Sequence, residues 1–83
     1  MQQALGQRIR ELRSKRGWSQ EEFADICGLH RTYVGSIERG ERNLTIVSIL
    51  TVAQHLEMTV SQLLSGLERR AAEFKNGSSA PEL

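Results

Sequence analysis

Apolar residues recur three and four positions apart along most of the chain, the spacing of helices that bury one face. Leu5, Ile9 and Leu12 make the first such stripe, with Arg8, Arg10, Glu11, Arg13, Lys15 and Arg16 around it. Basic residues followed by Gly17 end it, since cations complement the C-terminal dipole and glycine accepts the left-handed turn. Ser19 and Glu22 form a capping box, with Trp18 and Phe23 at the staple positions around it. They open a second, short helix bearing Phe23, Ala24, Ile26 and Cys27, which Gly28 closes. Leu29, Val34 and Ile37 mark a third short helix ending at Arg39-Gly40, with His30 in the weak N-cap position. Thr45 caps a fourth, lined by Ile46, Ile49, Leu50, Ala53 and Leu56. Thr59 and Gln62 make a second capping box, flanked by Met58 and Leu63. The fifth helix follows with Val60, Leu63, Leu64 and Leu67, continuing from Glu68 towards Lys75. No strand pattern and no internal repeat interrupts this reading, which is all-α with five helices.

Eighty-three residues suffice for one domain. Residues 1–75 are read as that domain and 76–83, with Gly77-Ser78-Ser79-Ala80-Pro81, as a flexible tail. No apolar run approaches the ~18 residues of a membrane span. The first residues lack the pattern of a secretory signal, and a single cysteine, Cys27, makes no internal disulfide, so a cytoplasmic setting is expected. His30, His55 and Cys27 do not make a zinc set. No nucleophile with a matching base and no phosphate loop is present, so neither an enzyme nor a cofactor is expected. The net charge is only +1. Eight Lys/Arg stand against six Asp/Glu up to Asn43, and three against four after it. Attraction to an anionic partner must therefore come from local charge placement.

Two short helices joined through Gly28-Leu29-His30 suit a helix-turn-helix, in which the second helix enters the major groove of DNA. Such pairs also occur in any helical bundle, and the residues are more telling than the spacing. Ser19-Gln20-Glu21-Glu22-Phe23-Ala24, Gly28-Leu29 and Tyr33-Val34-Gly35-Ser36-Ile37-Glu38-Arg39-Gly40 resemble the Cro/phage-repressor, or XRE, helix-turn-helix family. Within it, His30-Arg31-Thr32-Tyr33 and Glu41-Arg42-Asn43 are similar to the controller proteins of restriction-modification systems. The match covers about residues 5 to 67. Leu44 departs from the proline that many relatives carry there. The resemblance implies a compact lambda-repressor-like DNA-binding domain with its helix-turn-helix at helices two and three.

It also implies roles. Arg31, Thr32, Tyr33 and Ser36 become candidate base contacts. Arg31 can take guanine O6 and N7 bidentately, and Thr32 offers a hydroxyl and a methyl. Tyr33 reaches a base edge or a phosphate in this reading, and packing under the recognition helix is the alternative. Gln20, His30, Arg39, Arg42 and Asn43 become candidate phosphate contacts that set register. Glu38 would repel phosphate, and the resemblance pairs it with Arg13 as a structural ion pair. Cys27 reads as a small buried hydrophobe.

One such module reads too few base pairs to discriminate within a genome. The resemblance implies a homodimer with recognition helices about 34 Å apart on a pseudo-palindromic operator. Ile46, Val47, Leu63, Leu64 and Leu67 are the candidate interface, the alternative being that they fill the monomer core. Double-stranded DNA is the expected partner, and RNA polymerase a further one. An antitoxin or adaptor acting through protein contacts is the competing class.

Overall fold

The deepest helix crossing in the molecule runs through a residue with no side chain. Gly6 presses the first helix against the end of the third so closely that a Cβ there would strike the Ile37 and Glu38 carbonyl groups. Gly40, at φ +74°, meets Gln3 from the other side, and a Cβ on it would lie 2.9 Å from the Gln3 Cα. In the computed structural model, which describes residues 2–74, the helices among the described residues are α1 (Gln2–Lys15), α2 (Gln20–Cys27), α3 (Arg31–Glu38), α4 (Ile46–His55), α5 (Val60–Leu64) and α6 (Leu67–Phe74). None of them is long and apolar enough to cross a membrane. The proposed tail, 76–83, lies outside the described residues.

Local chemistry explains most boundaries. The Ser19 hydroxyl accepts from the Glu22 N–H and the Glu22 carboxylate accepts from the Ser19 N–H, at 3.0 and 2.7 Å. Thr59 and Gln62 repeat the arrangement ahead of α5. Trp18 stacks on Phe23 with ring centroids 5.8 Å apart. His30 occupies the N-cap of α3 but makes no side-chain cap bond. The apolar series expected to run on as one helix is divided. Gly66 takes φ +78°, so the chain turns after Leu64 and restarts as α6.

Ala4, Ile9, Phe23, Ala24, Val34, Ile37, Val52, Ala53, Leu56 and Leu63 are almost wholly buried and form one continuous core. Helix α1 packs on α3, α5 and α6, and α2 packs on α3 and α4. Arginines of α1 bind the carbonyl ends of distant helices. Arg8 donates to the Leu63 and Gln62 carbonyls at 2.6 and 2.8 Å. Arg16 donates to the Leu56 carbonyl at 2.6 Å. Each cation thus binds carbonyl groups at a helix end, where the C-terminal dipole favours positive charge. Ile26, read as part of the apolar face of α2, is instead 38% exposed.

Leu63 and Leu67 correct the expected interface. They are 0% and 3% exposed and belong to the core. Ile46, Val47 and Leu50 remain 73%, 71% and 53% exposed, with Leu64 beside the same apolar groove as Leu5, Ile49 and Leu67. Leu50, assigned to the core stripe by its spacing, joins the outer face.

Two outcomes follow from this packing. Gly6→Ala should lower stability by about 2–3 kcal/mol, since backbone carbonyls rather than side-chain tips would have to move, measured by urea denaturation. Burial pushes the Cys27 thiol from an ordinary 9.0 up to about 11. The folded chain holds that proton more tightly than the unfolded chain, so this contribution is complete below pH 9 and lost as pH rises towards 11. Iodoacetamide near neutral pH should spare Cys27 in the native protein and modify it in denaturant, as the mass spectrum will show.

Candidate nucleic-acid interface

The buried carboxylate of Glu38 organises the helix-turn-helix. Arg13 Nε and Nη2 donate to its two oxygens at 2.7 and 3.0 Å, and the Gln20 amide donates at 3.0 Å. Arg13 Nη1 also donates to the Trp18 carbonyl at 2.7 Å. The Glu38 side chain is 2% exposed and that of Arg13 11%. One carboxylate therefore joins α1, the start of α2 and the end of α3. A charge at this depth is tolerable only with such a complete set of donors.

That joint leaves the first turn of α3 facing outward. Arg31 and Thr32 are exposed there, next to exposed His30. Val34 and Ile37, both 2% exposed, hold the opposite side in the core. Ser36 goes with them: it is 8% exposed and its hydroxyl donates to the Tyr33 carbonyl at 2.9 Å. Of the four candidate base contacts Ser36 is thus the one drawn into the helix, its hydroxyl engaged by this internal bond.

Tyr33 is half-buried between α3 and α4. Its hydroxyl donates to Ser48 Oγ at 3.2 Å, which also accepts from the Thr45 hydroxyl at 3.1 Å. The Arg42 guanidinium lies over the Tyr33 ring, 5.6 Å from its centroid, a cation–π contact that holds a loop cation against the recognition helix. Ser48 went unnoticed in the sequence. Its position three residues after the Thr45 cap was the available signal, but its partner lies on another helix.

Of the candidate phosphate contacts, Arg39, Arg42, Asn43 and His30 are exposed, and Gln20 is half-buried. One amide N–H of Gln20 is used on Glu38, and an amide group carries a second. Arg39 Nε pairs with Glu41 at 3.1 Å, both side chains more than half exposed. Such a pair is worth little in water and yields readily to a phosphate. The structure thus gathers Arg31, Thr32, Arg39, Arg42 and Asn43 around α3 and the loop that follows it.

Removing the carboxylate tests the joint. Glu38→Ala should cost about 3–5 kcal/mol, because Arg13 would remain buried and unpaired, and Glu38→Gln should cost less by keeping one acceptor. Chemical denaturation of both reads the difference. Equal losses would mean that charge alone, not the three-donor geometry, holds the helices.

Comparison with known proteins points one way. A family profile described as Helix-turn-helix matches residues 9–63. Control protein C.SmaI of Serratia marcescens is 42% identical over 65 residues, covering 78% of this chain and 77% of that one. The crystal structure of the restriction-modification controller protein C.AhdI from Aeromonas hydrophila superposes with a TM-score of 0.70 at 48% identity, covering 74% of this chain and 92% of that one. The structure of SinR, the master regulator for biofilm formation, in complex with DNA gives a TM-score of 0.69 at 35% identity, covering 74% and 98%.

Proposed function

Because this chain belongs to the helix-turn-helix family of DNA-binding transcription regulators, we propose that it binds a pseudo-palindromic operator as a homodimer and serves as the controller of a restriction-modification system. The observation that carries the DNA-binding part is the exposed first turn of α3, Arg31-Thr32, mounted on a buried joint and flanked by Arg39, Arg42 and Asn43. Arg31 and Thr32 read base edges in this proposal. Tyr33 contributes its ring as a seat for Arg42 and its outward edge to the duplex. Gln20, His30, Arg39, Arg42 and Asn43 hold phosphates and fix the register.

The similarity to C.SmaI and C.AhdI supports the controller assignment, and the DNA complex of SinR supports the docking mode. Ile46, Val47, Leu50 and Leu64 supply the dimer face, an apolar surface that a monomer gains nothing by exposing. Two-fold pairing through it would set two α3 helices on successive major grooves. The setting is cytoplasmic, with RNA polymerase as the further protein such a regulator would meet at a promoter.

Selection from a random DNA pool, followed by footprinting upstream of its own gene, tests the whole reading. An inverted repeat should emerge, and sedimentation should show two chains per site. A chain that stays monomeric at tens of micromolar, on and off DNA, would overturn the dimer. Arg31→Ala should lose about 1–3 kcal/mol and relax preference at one base position. Arg42→Ala should weaken all sequences alike and make the salt dependence shallower by about 0.9 for each protomer. Identical behaviour of the two variants would sink the division of roles.

A further inference from the structure

Helix α6, Leu67–Phe74, lies beyond residue 63, where the match to the helix-turn-helix profile ends, and none of the DNA-facing residues belongs to it. Eight residues do not hold a helix together in water, so its place depends on what it touches. Leu67 roots it in the core. Three residues on, Arg70 grips α1. Its Nη2 and Nη1 donate to the two Glu11 carboxylate oxygens at 2.7 and 3.2 Å, and Nη1 donates to Gln7 Oε1 at 3.0 Å. A bidentate bond is the strong form of such a pair, and it holds the Glu11 carboxyl below its usual range. Helix α6 also contributes Leu67, Glu68 and Arg69 to the apolar groove that Leu5, Ile49 and Leu64 line, whereas Glu11 and Arg70 stand outside it. Helix α4, which lends Ile49 to this groove, exposes Ile46, Val47 and Leu50. It carries no Asp, Glu, Lys or Arg from Ile46 to His55. Such an uncharged apolar ridge offers nothing to a phosphate or to a charged protein surface. It matches an apolar groove whose two charges, Glu68 and Arg69, cancel, and two chains of net charge +1 repel one another only weakly.

We infer that α6 is a positioning element for self-association: latched to α1 through Arg70 and Glu11, it completes the groove that receives the Ile46–Val47 ridge of a second copy of this chain. This inference rests on the homodimer proposed above. A two-fold axis makes each chain both ridge and groove, so every dimer contains two latches. Because Glu11 and Arg70 lie outside the groove, their effect on pairing passes through α6 alone. With the latch broken, α6 frays beyond Leu67 and the part of the wall made by Glu68 and Arg69 loosens. A second copy must then order that wall as it docks, and the cost of ordering appears in the dimerisation constant.

The test is sedimentation equilibrium of the full chain carrying Glu11→Gln, Arg70→Gln or both. Glu57→Gln makes the same change of charge at an exposed pair with Arg16 and serves as the control. Each latch variant should raise the dimerisation Kd several-fold, and the double variant should match Arg70→Gln alone, since both remove one contact. Glu57→Gln should keep the wild-type Kd. Hydrogen exchange at dilutions where the chain is monomeric should quicken in α6 and stay unchanged in α2 and α3, which a general loss of stability would not give. A wild-type Kd in Glu11→Gln, equal weakening by Glu57→Gln, additive losses in the double variant, or faster exchange across α2 and α3 would each overturn the inference while leaving the homodimer intact. A wild-type chain that stays monomeric at tens of micromolar would instead overturn the homodimer, and this inference with it.

Discussion

A single buried carboxylate decides how the two helices of the reading motif stand to one another. Glu38 takes three hydrogen bonds, two from Arg13 and one from Gln20, so that the donors come from two other helices. Removing a charge from water costs several kcal/mol per ion, and its partners do little more than offset that. The return is angular definition: few arrangements of α1, α2 and α3 satisfy every donor and acceptor, and those few share one orientation of the recognition helix. The acid that seems misplaced in a DNA-facing helix is thus the element that aims it.

Helix α1 spreads this constraint through the molecule. It approaches the end of α3 through Gly6, without any side chain between them. It carries Arg13 to the joint, and Arg8 and Arg16 to the carbonyl ends of α5 and α4. Three of its cations are therefore engaged within the fold. This explains how a chain with eleven Lys/Arg and a net charge of +1 still presents a basic reading face. On the proposed reading the charge that counts for DNA lies in Arg31, Arg39 and Arg42, on or just after α3, while Arg8, Arg13 and Arg16 serve the fold.

How much of this was legible depended on how far apart the interacting residues lie. Ser19–Glu22, Thr59–Gln62 and Trp18–Phe23 act over three to five residues, so their spacing alone carries the physics. The helix boundaries were legible for that reason, and the helix-turn-helix through the residues that resemble the XRE family. Apolar spacing misled where two geometries share it. Leu63, Leu64 and Leu67 fit one continuous helix, but Gly66 adopts a left-handed turn that ends it, and spacing does not say whether the face of Leu63 and Leu67 meets the core or a second chain. Ser36 became a candidate through the resemblance, which carries no information on the bond its hydroxyl makes to the Tyr33 carbonyl. The long-range bonds of Arg8, Gln20 and Ser48 were not legible, since their partners are separated by 15 to 55 residues and only the fold brings them together.

The bond between Tyr33 and Ser48 has one more consequence. Ser48 lies between Val47 and Ile49 on α4, the helix whose outer side exposes Ile46, Val47 and Leu50. The surface that would meet a second chain and the surface that would meet DNA are thus one hydrogen bond apart within the same molecule. Two binding events joined in this way exchange free energy symmetrically. Whatever duplex contact at Tyr33 does to favour pairing of chains, pairing would do in equal measure to favour the duplex, so that occupancy of DNA would follow the concentration of the chain itself.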